Sequence, residues 1–351
     1  MTDAAAIIAQ FRDQAVYCRK LGSPFTGLLL DTIAELLPGM PDWAERILSW
    51  PGDPRADALA LRVAGALHRA VLQGDKPLRA AYDARQIEAA ALDTALRRNA
   101  ALLGRYLAGP PQTNDPQRSA VLLGGFRQIA AQHPGLPLHC REIGASAGLN
   151  LSWDAYAYDF GSWRHNDAGA APLHLAAEWQ GAAPPQETIQ AAIHVESRAG
   201  CDLAPLQAGN TADRERLLSY IWADQPQRLQ RVTAALAHAV RQDIRVEAIN
   251  AGDFLARALA QRPGNGILVL YHSIVWQYIA AAEQQRIAAL MQAAGTKATK
   301  TAPLAWLRFE PGAARDGADL TLTLWDGREA EGHTQYLAVG DYHGRWVRWL
   351  A

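Results

Sequence analysis

The chain has 351 residues, with 34 Lys and Arg against 35 Asp and Glu, and a net charge of -1. A chain of that length can bury a core without disulfide or metal staples. Near-neutral charge gives no electrostatic reason to expect nucleic acid or an anionic membrane as partner. Three widely spaced cysteines (Cys18, Cys140, Cys201) form no CxxC pair, so reduced thiols are expected. The first residues lack a basic segment followed by a long apolar run, and no stretch approaches the ~20 apolar residues of a membrane span. The expected location is the cytoplasm.

Residues 1–133 read as successive helices. Ile7, Ile8, Phe11 and Ala15 recur at helical spacing, and Pro24 opens a second helix carrying Leu28, Leu29, Ile33, Leu36 and Leu37. Alanine-rich helical stretches follow at 56–73 and 86–108. Asp115 and Pro116 have the form of an N-cap and first-turn proline before a helix with Val121, Leu122, Phe126 and Ile129 on one face. No convincing strand precedes Leu136.

From residue 134 the pattern alternates between strands and helices. Strands are expected at 136–143, 192–197, 244–249 and 267–271, the last apolar enough for burial on both faces. Helices are expected at 211–241 and 276–294. The region 153–191 is mixed, with short strands suggested at AYAYDF and LHLAAEW. Strands at 304–309, 320–325, 335–339 and 345–350 close the chain, the last three without helices between them. The expected fold is α/β, with a mainly parallel sheet and antiparallel edge strands after an all-helical N-terminal region.

The chemistry-bearing motif is Glu142-Ile143-Gly144-Ala145-Ser146-Ala147-Gly148, between the first strand and an expected helix. A dinucleotide fingerprint, G-x-G-x-x-G, fails at Ser146 and Leu149. A nucleophile elbow, G-x-S-x-G, is matched literally: Ser146 would attack an ester, with Asp341 and His343 completing a triad. Such hydrolases place several strands before the elbow, and none is read here. The third reading is an acid two residues before a small-residue turn. This suits S-adenosylmethionine, which has no phosphate but carries an ammonium that Glu142 can hold. Ser146 then stands where the middle glycine of E-x-G-x-G-x-G would be.

Ligands of open parallel sheets bind beyond the carboxyl ends of the strands. Asp202, with Glu196 or Asp159 as alternatives, is the candidate for the ribose hydroxyls. Asp253 is the candidate near adenine, and His272 for a general base. Arg118 and Glu310 could line the substrate end. Each has a plainer competing reading as a cap, loop or ion-pair residue. No metal signature is present.

The segments Thr113–Arg118, EIGASAGLNL (142–151), SRAGCDLAP (197–205), YIWADQPQRL (220–229) and Tyr271-His272-Ser273 resemble domain-of-unknown-function family 2332 of bacteria over nearly the whole chain. The resemblance implies a Rossmann-like sheet similar to class I S-adenosylmethionine-dependent methyltransferases at 134–351 and no assigned activity. Three functions stay open: methyl transfer to a small molecule with S-adenosylmethionine as cofactor, a Ser146 hydrolase, or a non-catalytic interaction protein that keeps the fold. The third predicts a pocket filled by side chains. Oligomeric state and substrate stay open.

Overall fold

The computed structural model describes residues 3–39, 41–166, 169–313 and 316–351. It divides into two compact units, Met1–Thr113 with Asn210–Thr233, and Asn114–Gly209 with Ala234–Ala351. The division expected at 133/134 is a single cut. The compact units instead exchange segments: the helix Ser119–Gln132 counts with the sheet, and residues 210–233 count with the helices.

The first unit is helical. Phe11, Leu30, Ile33, Val63, Leu67, Leu92 and Leu96 are buried in one core, each from the apolar stripe of an amphipathic helix. The helix Thr211–Ser219 belongs here because its side packs on the helix Leu59–Leu72. Arg69 pairs with Glu215 at 2.7 Å, His68 Nδ1 lies 3.2 Å from the Ser219 carbonyl, and Tyr106 shares a hydrogen bond with the Ser219 hydroxyl at 2.7 Å.

Among the described residues the second unit holds twelve strands: β1 (Leu138–Ile143), β2 (Ala157–Asp159), β3 (Arg164–His165), β4 (His174–Ala176), β5 (Glu178–Gln180), β6 (Val195–Asp202), β7 (Val246–Ala248), β8 (Ile267–Ser273), β9 (Leu304–Glu310), β10 (Ala318–Trp325), β11 (His333–Gly340) and β12 (Trp346–Trp349). Nine form one sheet in the order β5-β12-β11-β10-β9-β8-β1-β6-β7, and β3-β2-β4 form a small second sheet. From β7 to β9 every pairing is parallel. Strands β9 to β12 then pair antiparallel in sequence. The protein is therefore mixed α/β, with a helical N-terminal region and a large, mostly parallel sheet. Among the described residues no helix is long and apolar enough to cross a membrane.

Every residue of β8 is buried, as its apolar run predicts for a central parallel strand. One face of β9–β12 is covered by the helix Ser119–Gln132, where Gly125 lets Leu307 approach its backbone. A separate core of Leu255, Leu268, Leu270, Ile287, Met291 and Leu304 packs the helices Ala251–Ala260 and Ala281–Gly295 against β1, β6 and β9.

Three local expectations differ from the structure. The strand expected at 192–197 lies at Val195–Asp202 and runs through Gly200; a Cβ on Gly200 would sit 2.8 Å from the Ala145 Cβ, so the glycine serves close strand–turn packing rather than a loop. The element after the glycine turn is a 3-10 stretch, Leu149–Ala155, instead of an α-helix. The segment Glu178–Gln180 pairs parallel with β12 at the sheet edge, a partner far away in sequence that local pattern cannot reveal.

Candidate functional site

The strand order reverses between β1 and β8, from which the chain leads outward to β6 and β7 on one side and β9 on the other. This is the topological switch point, where open α/β sheets bind ligands. Its two rims are the glycine turn after Ile143 and the Tyr271-His272-Ser273 end of β8.

The turn is organised from inside. Gly144 has φ +67° and Ser146 φ +53°, so the position where E-x-G-x-G-x-G has its middle glycine is indeed left-handed. A serine there carries strain of order 1 kcal/mol. The turn's amides are spent within the protein. Ala145 N–H donates to the Cys201 carbonyl at 2.9 Å, Ser146 to Asp202 Oδ2 at 3.0 Å, Gly148 to the Ala145 carbonyl at 2.7 Å, and Leu149 to Asn114 Oδ1 at 2.8 Å. A phosphate cradle requires free amides, and here four are already bonded. A Cβ on Gly144 would overlap the Val275 side chain, so Val275 covers the turn on that side.

Glu142 behaves differently. It is 2 % exposed and sits at the last position but one of β1. Its carboxylate takes a long hydrogen bond, 3.3 Å, from the Tyr271 hydroxyl, which also lies 3.2 Å from the Asn150 carbonyl. Burial pushes the Glu142 carboxyl up to about 8, with Tyr271 and the positive charge of Arg118 pulling it partly back. Glu142 is therefore mostly protonated at pH 7. Nearby in sequence, Asn150 is wholly buried, and among the described residues neither its amide oxygen nor its amide nitrogen has a hydrogen-bond partner. A buried acid held neutral together with an unsatisfied amide is costly unless something polar joins them.

The other expected residues fall into distinct groups. Asp202, the last residue of β6, accepts from Ser146 N–H through one oxygen and from Ala204 N–H, 2.9 Å, through the other. It faces the turn, and each oxygen keeps a second lone pair. Asp159 caps Gly161 and pairs with Arg164, and Glu196 is paired with His194 at the surface. Asp253 lies in the first turn of the helix Ala251–Ala260 and is paired outward with Arg286 at 2.5 Å.

His272 is fully buried with both ring nitrogens engaged: Nδ1 lies 2.6 Å from Glu310, and Nε2 accepts from Trp306 Nε1 at 3.1 Å. Glu310 also accepts from the backbone of Val275 and Trp276. Together they hold the loop after β8, in which Ile274 is left-handed. Arg118 is buried, donating to the Tyr342 carbonyl at 3.0 Å and the Ser273 carbonyl at 3.4 Å. It therefore bridges the β8 rim to the loop after β11.

The hydrolase constellation is not assembled. Asp341 takes hydrogen bonds from the backbone of His343 and Arg345 and from the Arg345 guanidinium. Burial opposes the charge, but Arg345 and the two amides outweigh it and hold Asp341 below the usual carboxylate range. The His343 ring instead lies 3.7 Å from Asp115. Among the described residues no strand precedes β1.

Asn150 and Tyr271 were not singled out as site residues by the motif reading. The available signal for Asn150 was an amide between Leu149 and Leu151 in an otherwise apolar run. For Tyr271 it was a phenol ending a strand of buried aliphatic residues. Among the described residues no cluster of His, Cys, Asp or Glu could hold a metal ion.

No curated protein and no solved structure matches the chain. A family model described as "Uncharacterized protein conserved in bacteria (DUF2332)" matches residues 8–349, nearly the full length expected from the Thr113–Arg118, EIGASAGLNL and SRAGCDLAP segments. The chain belongs to this bacterial family, DUF2332.

Proposed function

We propose that the second unit binds S-adenosylmethionine at the β1/β8 switch point and supports methyl transfer to a small molecule. The parallel run β7-β6-β1-β8-β9 resembles the strand order of class I methyltransferases, with Glu142 at the last position but one of β1 and Asp202 at the end of β6, two strands that pair there. The observation that carries the reading is that Glu142, buried with one long hydrogen bond from Tyr271, is linked through that hydroxyl to Asn150, whose side-chain amide has no partner among the described residues. An ammonium would ionise Glu142 and satisfy it, while the Asn150 amide can receive a carboxylate.

The bonded amides of the turn favour a ligand without phosphate over a dinucleotide. Glu142 and Asn150 would hold the methionyl end, and the spare lone pairs of Asp202 the ribose hydroxyls. Bound S-adenosylmethionine supplies an electrophilic methyl group. The protein's part is to hold the acceptor in line, and positioning of this kind provides much of such a rate. His272, with both nitrogens engaged, is assigned to positioning the β8 loop, and Asp253 is left to its ion pair with Arg286.

Calorimetric titration with S-adenosylhomocysteine tests this. Saturable heat in the wild type, lost in Asn150→Leu, supports the reading; no heat at about 1 mM ligand, corresponding to affinity weaker than about -4 kcal/mol, removes it. The Val275 side chain lying over Gly144 favours a second reading, a non-catalytic protein whose pocket is closed by its own side chains. That reading requires the titration to stay silent in Val275→Ala as well.

A further inference from the structure

The 3-10 stretch that replaces the expected helix has a consequence for the face of β6. Two short 3-10 pieces within Leu149–Ala155, kinked at the non-helical Ser152, cover less of a sheet than a helix of ordinary length. Beside them the second unit contains a cavity of about 540 Å³, within the size range of small-molecule sites.

On its floor, Arg198 of β6 makes a two-pronged ion pair with Asp154, at 2.6 and 2.9 Å, and donates to the Leu151 carbonyl at 2.9 Å. Two polar walls are less well provided. Ser152 is 2 % exposed and His238 7 % exposed, and both line the cavity. Among the described residues neither the Ser152 hydroxyl nor the His238 ring has a hydrogen-bond partner. His238 instead sets its ring edgewise to Tyr156 at 6.0 Å.

At the rim Arg245 pairs with Asp243 at 3.0 Å, and Arg241 adds positive potential at His238. Arg198, Arg241 and Arg245 thus stand against Asp154 and Asp243, an excess of one positive charge. Leu151 and Ile244 supply an apolar wall.

We propose that this cavity is a binding site for a small organic carboxylate. The carboxylate accepts hydrogen bonds from Ser152 and His238 in a field of net positive charge, and the apolar body lies against Leu151 and Ile244. Those two side chains also pack against Gly148, so the site backs onto the glycine turn without sharing the groups assigned to S-adenosylmethionine. It stands whether or not that cofactor binds.

The test uses the full chain and four probes, hexanoate and benzoate with their uncharged amides, read by saturation-transfer NMR and calorimetry. Saturable binding of at least one acid, about tenfold stronger than its amide, is expected. The same affinity should fall by about tenfold in His238→Leu and be lost in Ala155→Phe, which fills the cavity. Ser152→Ala removes a single oxygen and carries the test if the larger replacement does not fold. No saturable acid binding, equal binding of acids and amides, or unchanged affinity in both His238→Leu and Ser152→Ala overturns the proposal. Retained acid binding in Glu142→Gln, alongside loss of S-adenosylhomocysteine binding, keeps this site distinct from the switch point.

Discussion

Replacing Glu142 by glutamine should make the protein more stable, and increasingly so as pH rises. The carboxyl has moved from the usual 4.5 to about 8 because burial disfavours its charged form. Below pH 4.5 the group is protonated in both folded and unfolded chains and contributes no difference. As pH rises, the unfolded chain releases the proton while the folded chain retains it, so stability falls until the folded group also ionises near pH 8. At about 1.4 kcal/mol per pH unit, this difference amounts to about 5 kcal/mol.

The glutamine variant keeps an acceptor for Tyr271 and escapes the loss. Wild type and variant should therefore have similar stability at pH 4.5 and differ by up to about 5 kcal/mol at pH 8.5. Urea denaturation followed by tryptophan fluorescence measures this, since eight of the eleven tryptophans lie in the second unit. A variant advantage that is equal at both pH values, or a variant less stable at pH 8.5, refutes the account of Glu142 as an acid that burial holds neutral. In the proposed function the same substitution removes the partner of the ammonium. Glu142→Gln should then gain stability and lose S-adenosylhomocysteine binding together. In the wild type near pH 7, binding should release a proton, seen as a dependence of the calorimetric heat on the buffer's ionisation enthalpy.

Gly144→Ala combines a left-handed φ with overlap on Val275 and should cost about 2–4 kcal/mol in urea denaturation; Gly144→Ala,Val275→Ala should recover only the overlap part. Gly125→Ala pushes a methyl into Leu307 and should cost about 1–3 kcal/mol, with Leu307→Ala in the same chain relieving the overlap. Because Asp341 and His343 do not form a triad with Ser146, a fluorophosphonate probe should label neither wild type nor Ser146→Ala; labelling that depends on Ser146 would restore the hydrolase reading.

Much of the sheet was visible in the sequence because burial on two faces leaves continuous apolar runs, as in 267–271 and 304–309. The antiparallel edge followed from the lack of helix-length segments between the last strands. The long-range decisions were hidden. Gly200 reads locally as a turn residue, yet it continues β6 because Ala145 lies against it. Asp202 reads as an acid in the segment after the strand 192–197, but its place at the end of β6 and its use as acceptor for the turn's own Ser146 amide depend on a contact across 56 residues. His272 was visible as a polar residue ending a buried strand. That Glu310 and Trp306 would occupy both its nitrogens required the register of β8 against β9. Asn150 escaped notice because nothing in a single sequence distinguishes a satisfied amide from an orphaned one.

The segment 210–233 belongs to the helical unit although it follows six strands of the other. During synthesis His68, Arg69 and Tyr106 leave the ribosome well before Ser219, Glu215 and Ala212, the groups they bond to. The first unit thus cannot complete its packing when its own N-terminal stretch is finished; it has to wait while the intervening strands emerge. Nascent chains arrested before residue 210 should accordingly be protease-sensitive over their first hundred residues, and chains extended past residue 233 should gain resistance there.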